Sequence, residues 1–202
     1  MSYNPNEDPV RVVDMRCVSG WDRALRAARK TAGKDTPPGK MPSRKWEARA
    51  LLAEHSPIRL VEYEWDWEKI RQWVSVHLVR HHEGCEKFVR TQREDRNDEV
   101  TDRDSLPQGS LNDMTMTANA QALMNISRKR LCSCASPETR HAWTLVRDEI
   151  RKADPILADK MVRECVYRGF CPEWKCCGYD RTEAFRKEVE GYRKVDYQEE
   201  DK

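Results

Sequence analysis

Apolar and polar residues alternate along this chain with two different periods. Val10-Arg11-Val12-Val13-Asp14-Met15 is rich in β-branched residues and reads as a short strand. From Ser19 to about Arg29, Trp21, Leu25 and Ala28 fall along one side of a helix. Prolines and glycines make residues 33–43 a loop. Ser43 then caps a helix to about Glu54, carrying Trp46, Ala50 and Leu51, and His55-Ser56-Pro57 breaks it. Val61, Tyr63 and Trp65 alternate with Glu62, Glu64 and Asp66, a strand with one buried and one wet face. A helix is expected from Trp67, since Ile70, Trp73, Val74 and His77 follow the i, i+3, i+4, i+7 rule and His81 extends the stripe.

Residues 94–104 are almost wholly charged or polar and read as a solvated connector. Asn112 or Asp113 is placed to cap a long helix, Met114–Leu131, with Met116, Leu123 and Ile126 as its stripe. Ser136-Pro137-Glu138 opens another helix, with a capping serine, proline in the first turn and an acid beside the positive dipole end. Trp143, Val146 and Ile150 form its apolar side. Asp154-Pro155 starts a further helix to about Cys165, a cysteine-rich segment covers 165–179, and a charged helix begins near Thr182. The pattern divides the chain into a loose N-terminus (1–9), one domain (10–180), and a charged C-terminal helix with an acidic tail (181–202). Its class is α/β of the α+β kind: a helix-rich single domain around a small mixed or antiparallel sheet.

Composition narrows the function. Charged residues make up 36% of the 202, yet the net charge is only +2. That argues against a general nucleic-acid binder and leaves room for local basic pockets. No apolar run reaches the roughly 18 residues of a membrane span, and the first residues lack the layout of a signal peptide. Eight cysteines then read most simply as reduced thiols in a cytoplasm.

Candidate chemistry gathers in residues 77–93, which hold three of the five histidines. His77, Arg80 and His81 arrive at the C-terminal end of a helix, where the dipole favours a cation. A basic surface loop is the plainer account of the same residues. Downstream, Asn119 and Arg130 stand eleven positions apart, about 16 Å along a helix, with Leu123 and Ile126 between them. Such a face suits a long flat ligand with polar termini; an ordinary amphipathic helix has the same pattern.

Arg80-His81-His82, with Thr91-Gln92-Arg93 after it, resembles the Arg-His-Arg signature of the flavin-dependent thymidylate synthases. Asn119-Ala120-Gln121-Ala122-Leu123-Met124-Asn125 and Arg130-Leu131-Cys132 resemble the helix that this family sets against flavin and nucleotide. Arg103-x-x-Leu106-Pro107 resembles its arginine element, and Ala27-Ala28-Arg29-x-Thr31 and His55-Ser56-Pro57 are fainter echoes. The resemblance implies that Ser56, Arg80, His81, His82, Asn119 and Asn125 line FAD. It implies that His77, Gln92, Arg93, Arg103 and Arg130 hold a pyrimidine deoxynucleotide, with Arg130 beside the reacting ring. The implied reaction is reductive methylation of deoxyuridylate (dUMP) to thymidylate, with methylene-tetrahydrofolate and NADPH as co-substrates. The implied assembly is a homotetramer with shared active sites, with neither nucleic acid nor membrane as partner.

Departures from the family pattern are His82 for the second signature arginine, Gln121 for an arginine, Lys129 for an apolar residue, and Arg59 for an acid. Only nine residues separate Arg93 from Arg103, where most of the family carries a longer insert. A nucleotide hydroxymethylase making a modified DNA precursor is therefore an alternative. So is a non-catalytic, zinc-stabilised binding module, because Cys165, Cys171, Cys176 and Cys177, with Cys132 and Cys134, offer soft ligands. Reduced thiols packing a turn are the plainer account of these six. His77, His81 and Cys85, spaced i, i+4, i+8, form a second metal pattern, without the glutamate of a His-Glu-x-x-His site.

Overall fold

The computed structural model describes residues 3–98 and 102–198. Four antiparallel strands form the sheet: β1 (Arg11–Ser19), β2 (Glu62–Arg71), β3 (Cys85–Val89) and β4 (Leu111–Asn119), in the order β1-β2-β4-β3. On β2 the alternation works as expected. Tyr63, Trp65 and Trp67 are buried and pair in register with Ala118, Met116 and Met114 of β4. The opposite face is polar: Thr115 donates to Asp66, Thr117 to Glu62, and Arg16 pairs with Glu64.

Helices α1 (Trp21–Thr31), α2 (Arg44–Leu52), α3 (Gln72–Val79), α4 (Ala120–Arg130), α5 (Pro137–Ala153) and α6 (Pro155–Lys160) share the core beneath the apolar face. Its centre is a tryptophan cluster. The ring of Trp143, on α5, lies 6.1 Å from those of both Trp65 and Trp67. Two of the three indole N–H groups have acceptors: Trp67 donates to the Ala142 carbonyl (3.3 Å) and Trp143 to Ser127 Oγ (2.8 Å). Helices α7 (Glu164–Arg168) and α8 (Glu183–Arg193) build a second, smaller cluster around Val162, Cys165, Val166, Phe185 and Tyr192. Among the described residues no helix is long and apolar enough to cross a membrane.

The structure adds the edge strand β3, which the sequence pattern does not show, and differs from that pattern in four further places, each for a local reason. The strand carrying Trp65 does not yield to a helix at Trp67 but continues to Arg71. Lys69 takes φ +57° and its N–H bonds Asp113 Oδ1 at 3.0 Å, where the β2–β4 register slips between Trp67 and Ile70. This bulge puts Trp67 and Ile70, three apart, on the same buried side and so imitates helical spacing. Met114–Leu131 is a strand followed by a helix. Met114, Met116 and Ala118 alternate with half-exposed Thr115 and Thr117, and Asn119 is the N-cap of α4.

Pro155–Cys165 is interrupted after Lys160, whose buried ammonium donates to the carbonyls of Tyr192 (2.5 Å) and Lys194 (2.6 Å). The N-terminus is held from Tyr3 onward. The Tyr3 ring meets His141 at 6.2 Å, Asn4 caps the Pro5–Glu7 turn, and Asp8 lies 3.5 Å from Arg71. Residues 1–2 and 199–202 of the expected loose ends lie outside the described residues. In the acidic tail, Asp196 pairs with Lys45 at 2.7 Å and Tyr197 donates to Asp159 at 3.0 Å.

Asp154 joins these layers. It closes α5 and opens α6, its Oδ1 accepting the Leu157 N–H at 2.9 Å. Its Oδ2 accepts from Trp21 Nε1 (2.7 Å) and the Tyr63 hydroxyl (3.3 Å). Asp154→Ala is expected to cost about 2–4 kcal/mol, the sum of a lost cap and buried donors left unpaired. Asp154→Asn should cost less, since it keeps acceptor and cap. Urea unfolding of both variants checks this; equal losses would contradict it.

Candidate active site

Strand β4 turns into α4 with no intervening loop, and Asn119 is the turning residue. Its Oδ1 accepts the Ala122 N–H at 2.9 Å, capping the helix, and its own N–H donates to the Gly84 carbonyl at 2.9 Å. Gly84 has φ +70°, and a Cβ there would stand 2.5 Å from Asn119 Nδ2. Both the backbone angle and the contact therefore require glycine at this position. The segment 80–84 thus runs beside α4, with Gly84 at the helix's N-terminal end and His81 against Arg130 at the other.

Beside the first half of α4 lies an open cleft of about 680 Å³, lined by Asn119, Gln121, Asn125, Arg59, Glu54 and Glu83 among others. That size is usual for an organic-ligand site. Two residues expected to line a flavin, Asn119 and Asn125, meet in it. Gln121 donates to Glu54 Oε2 at 2.6 Å and to Asn125 Oδ1 at 3.3 Å. Arg128 neutralises Glu54 from the side. The cleft therefore presents oriented amides, one guanidinium at Arg59, the exposed Glu83 carboxylate, and a second carboxylate, Glu54, already paired.

At the far end of α4 the arrangement is cationic. Arg130 Nε donates to His81 Nε2 at 2.9 Å, and its Nη2 donates to the His77 carbonyl at 2.5 Å. His77 Nδ1 meets Thr139 Oγ1 at 3.0 Å, and Ser136 Oγ lies 2.9 Å from that hydroxyl. Among the described residues no carboxylate pairs with Arg80 or Arg130. Burial, then Arg130, Lys87 and His82, hold His81 down to about 4. Burial, then Arg130 and Arg80, lower His77; burial, then Arg80, lower Arg130. An anion placed here would relieve repulsion that the protein alone leaves uncompensated.

The remaining expected residues are distributed differently. Arg80 is the exposed C-cap of α3, His82 is exposed in the 80–84 segment, and Ser56 is exposed at the start of a 3-10 turn (Ser56–Leu60). Gln92, Arg93 and Arg103 follow the end of β3 that pairs Val89 with Met114, whereas Gly84 and Asn119 lie at the other end. Arg93 is engaged with Asp95 (2.7 and 2.9 Å), and the Arg103 N–H bonds Glu94. They do not join Arg130 within the described residues of one chain. The stripe of Leu123 and Ile126, read as a ligand-facing middle, is buried in the core. Glu54, Glu83 and Gly84 line the cleft without having stood out in the sequence. Gly84 ends a polar run and marks a turn; Glu54 follows a helix at φ +49°, a conformation no local signal announces. The metal pattern of His77, His81 and Cys85 does not converge, because each histidine nitrogen in contact serves Thr139 or Arg130, and the Cys85 thiol donates to the His81 carbonyl at 3.4 Å.

His81 gives this site a pH signature. The unfolded chain protonates it near 6.5, the folded chain only near 4. Between those values the unfolded state holds more protons, so the contribution of neutral His81 is complete above about 6.5 and lost as pH falls towards 4. His81→Asn is expected to flatten the fall in urea midpoint between pH 7 and pH 4; an unchanged slope would show that His81 is not the group responsible.

Residues 93–156 match the family model described as thymidylate synthase complementing protein. No curated protein sequence matches the chain. Among solved structures, a UMP/dUMP methylase, PolB from Streptomyces cacaoi bound with 5-Br dUMP, superposes with TM-score 0.58 and 15% identity. The match covers 75% of this chain and 93% of that one. Thymidylate synthase X (ThyX) from Helicobacter pylori, with FAD and dUMP, gives TM-score 0.57 and 14% identity over 73% of this chain and 99% of that one. The family-model match over residues 93–156 and the fold shared with these two structures agree with the resemblance carried by the Asn119–Arg130 motif.

Proposed function

We propose that this chain is a flavin-dependent enzyme that methylates a pyrimidine deoxynucleotide, converting dUMP to thymidylate. The observation that carries the reading is the pairing of two environments along one helix. An amide-lined cleft lies at Asn119 and Asn125, and two guanidiniums, Arg130 and Arg80, which no carboxylate pairs with among the described residues, lie near neutral His77. The amides suit the hydrogen-bonding edge of a flavin, and the cationic cluster suits an electron-rich, anionic nucleotide. The family-model match over residues 93–156 and the ligands named for the two solved structures support the same assignment.

The cofactor's role, when bound, is to supply reducing equivalents, which NADPH would replenish, with methylene-tetrahydrofolate as carbon donor. The chain's own contribution is orientation and charge. Arg130, fixed by its two bonds to His81 and the His77 carbonyl, keeps its second terminal nitrogen for a pyrimidine oxygen or phosphate. A guanidinium there draws electron density onto that oxygen and stabilises charge that develops on the ring. Neutral His81 accepts from Arg130 and so fixes its plane. Asn119 and Asn125 hold the flavin edge, with Ser56, Arg80 and His82 at its exposed side.

Gln92, Arg93 and Arg103 fit this scheme if they serve the active site of a neighbouring subunit, because within one chain they follow the end of β3 opposite to His81 and Gly84. The proposed assembly is a homotetramer with shared sites.

Purified protein should be yellow, with flavin absorbance near ~450 nm. Arg130→Ala is expected to keep the flavin and lose roughly 10–150-fold in dUMP affinity or turnover, the equivalent of one charged hydrogen-bonded contact. Loss of flavin with unchanged dUMP binding would reverse the assignment of the two ends of α4. Mixing inactive Arg80→Ala chains with inactive Arg93→Ala chains should restore part of the activity; a fully active monomer in sedimentation would refute the shared site.

A further inference from the structure

Six of the eight cysteines come together at one place, away from the cleft. Cys132 and Cys134 lie in the turn between α4 and α5; Cys165 begins on α7; Cys171, Cys176 and Cys177 lie in the loop leading to α8. Five of them, Cys132, Cys134, Cys165, Cys171 and Cys177, line a single cavity of about 10 Å³. A cavity of that size holds one water-sized particle and no organic ligand. The Cys132 and Cys134 sulfurs and a Glu173 carboxylate oxygen already lie within 4.8 Å of one another.

Packing does not account for this cluster. Buried thiols can act as small apolar side chains, which suits Cys132 and Cys165, but Cys134, Cys176 and Cys177 are exposed. The loop they occupy has little apolar burial of its own. Phe170 is 57% exposed and Trp174 fully so, and the second core cluster has five buried residues among those described. The loop is nevertheless shaped around its sulfurs. Gly178, at φ +81°, donates its N–H to Cys176 Sγ at 3.3 Å, and the Tyr179 N–H bonds the Cys177 sulfur. The Cys176 thiol itself donates to Asp180 Oδ1 at 3.2 Å, whereas the Tyr179 N–H aimed at Cys177 two residues earlier is how a turn supports a thiolate that carries charge.

We propose that this cavity is a structural zinc centre, with Cys132 and Cys134 as one ligand pair and two of Cys165, Cys171 and Cys177 as the other. Zinc in such sites takes four ligands tetrahedrally, with Zn–S about 2.3 Å, so the second pair, which lines the same cavity, closes on Cys132 and Cys134 when the ion binds. The ion ties the end of α4 to the C-terminal layer. Cys132 is two residues from Arg130, so the centre also fixes the position of the guanidinium in the candidate active site. The segment contributing the second pair lies beyond the matched family region, which ends at residue 156. Cys132 and Cys134 lie inside that region, and the site stands whether or not the proposed reaction is correct.

The full-length protein, expressed in zinc-supplied medium, is to be assayed for metal by mass spectrometry and for free thiols under denaturing conditions. The expected result is about one zinc per chain, released in step with mercurial titration of its thiolates. Replacing zinc with cobalt should give thiolate-to-metal charge-transfer bands and tetrahedral d–d bands. Cys132→Ser/Cys134→Ser should fall below a tenth of the wild-type zinc content, while Cys17→Ser, far from the cavity, keeps it. If the double variant fails to fold, the cobalt spectrum of the wild type still decides. Wild-type protein without bound zinc and without a cobalt–thiolate spectrum would overturn the proposal. So would recovery of these cysteines as disulfides, or full zinc content in the double variant.

Discussion

Everything at the candidate site depends on the direct passage of β4 into α4 at Asn119. The residue is strand partner, helix cap and cleft wall at once. Its register is set by pairing with Glu62, and the next residue's N–H is held by the Val61 carbonyl at 2.8 Å. From there the helix has no freedom. Leu123, Met124 and Ile126 are buried in the core, and Ser127 locks to Trp143. Eleven residues on, Arg130 is delivered to one place. A rigid rod about 16 Å long, fixed at both ends, can hold two ligands at a set distance, which a loop would not do.

Charge explains why the two ends differ. At the N-terminal end the helix exposes N–H groups beside amides, and of the two acids lining the cleft, Glu54 and Glu83, Glu54 is neutralised by Arg128. At the C-terminal end, Arg130 and Arg80 stand near two histidines that burial and their positive neighbours keep neutral. The helix dipole tolerates cations there, but the absence of a carboxylate partner among the described residues leaves the field directed at a ligand. Neutral His81 then serves as a hydrogen-bond acceptor, a role that an arginine in its place could not perform.

The sequence conveyed much of this and misled where two periods overlapped. Alternation in Val61–Asp66 marked β2, Ser43, Ser136 and Thr182 marked helix starts, and Ser43, Ser136 and Thr182 do cap α2, α5 and α8. The family motifs led to Asn119, Asn125, His81 and Arg130, which the fold sets along one helix. The bulge at Lys69 was invisible because it gives a strand the spacing of a helix. In Met114–Asn119 the threonines between apolar residues signalled a strand, but the helix after it continued the apolar run without a break. Strand β3 was hidden within a polar, histidine-rich run, since it is an edge strand with exposed Glu86 and Phe88. The neutralised Glu54 and the glycine contact at Asn119 depend on partners 74 and 35 positions away, beyond any local pattern.

The central claim is that one helix, α4, holds flavin at its Asn119 end and nucleotide at its Arg130 end. A crystal structure of the protein with FAD and dUMP tests it most directly. The account predicts the flavin ring in the cleft bounded by Asn119, Gln121 and Asn125, and the pyrimidine or its phosphate within hydrogen-bonding distance of Arg130. Nucleotide bound away from Arg130, with the cleft beside Asn119 occupied by neither ligand, would contradict it.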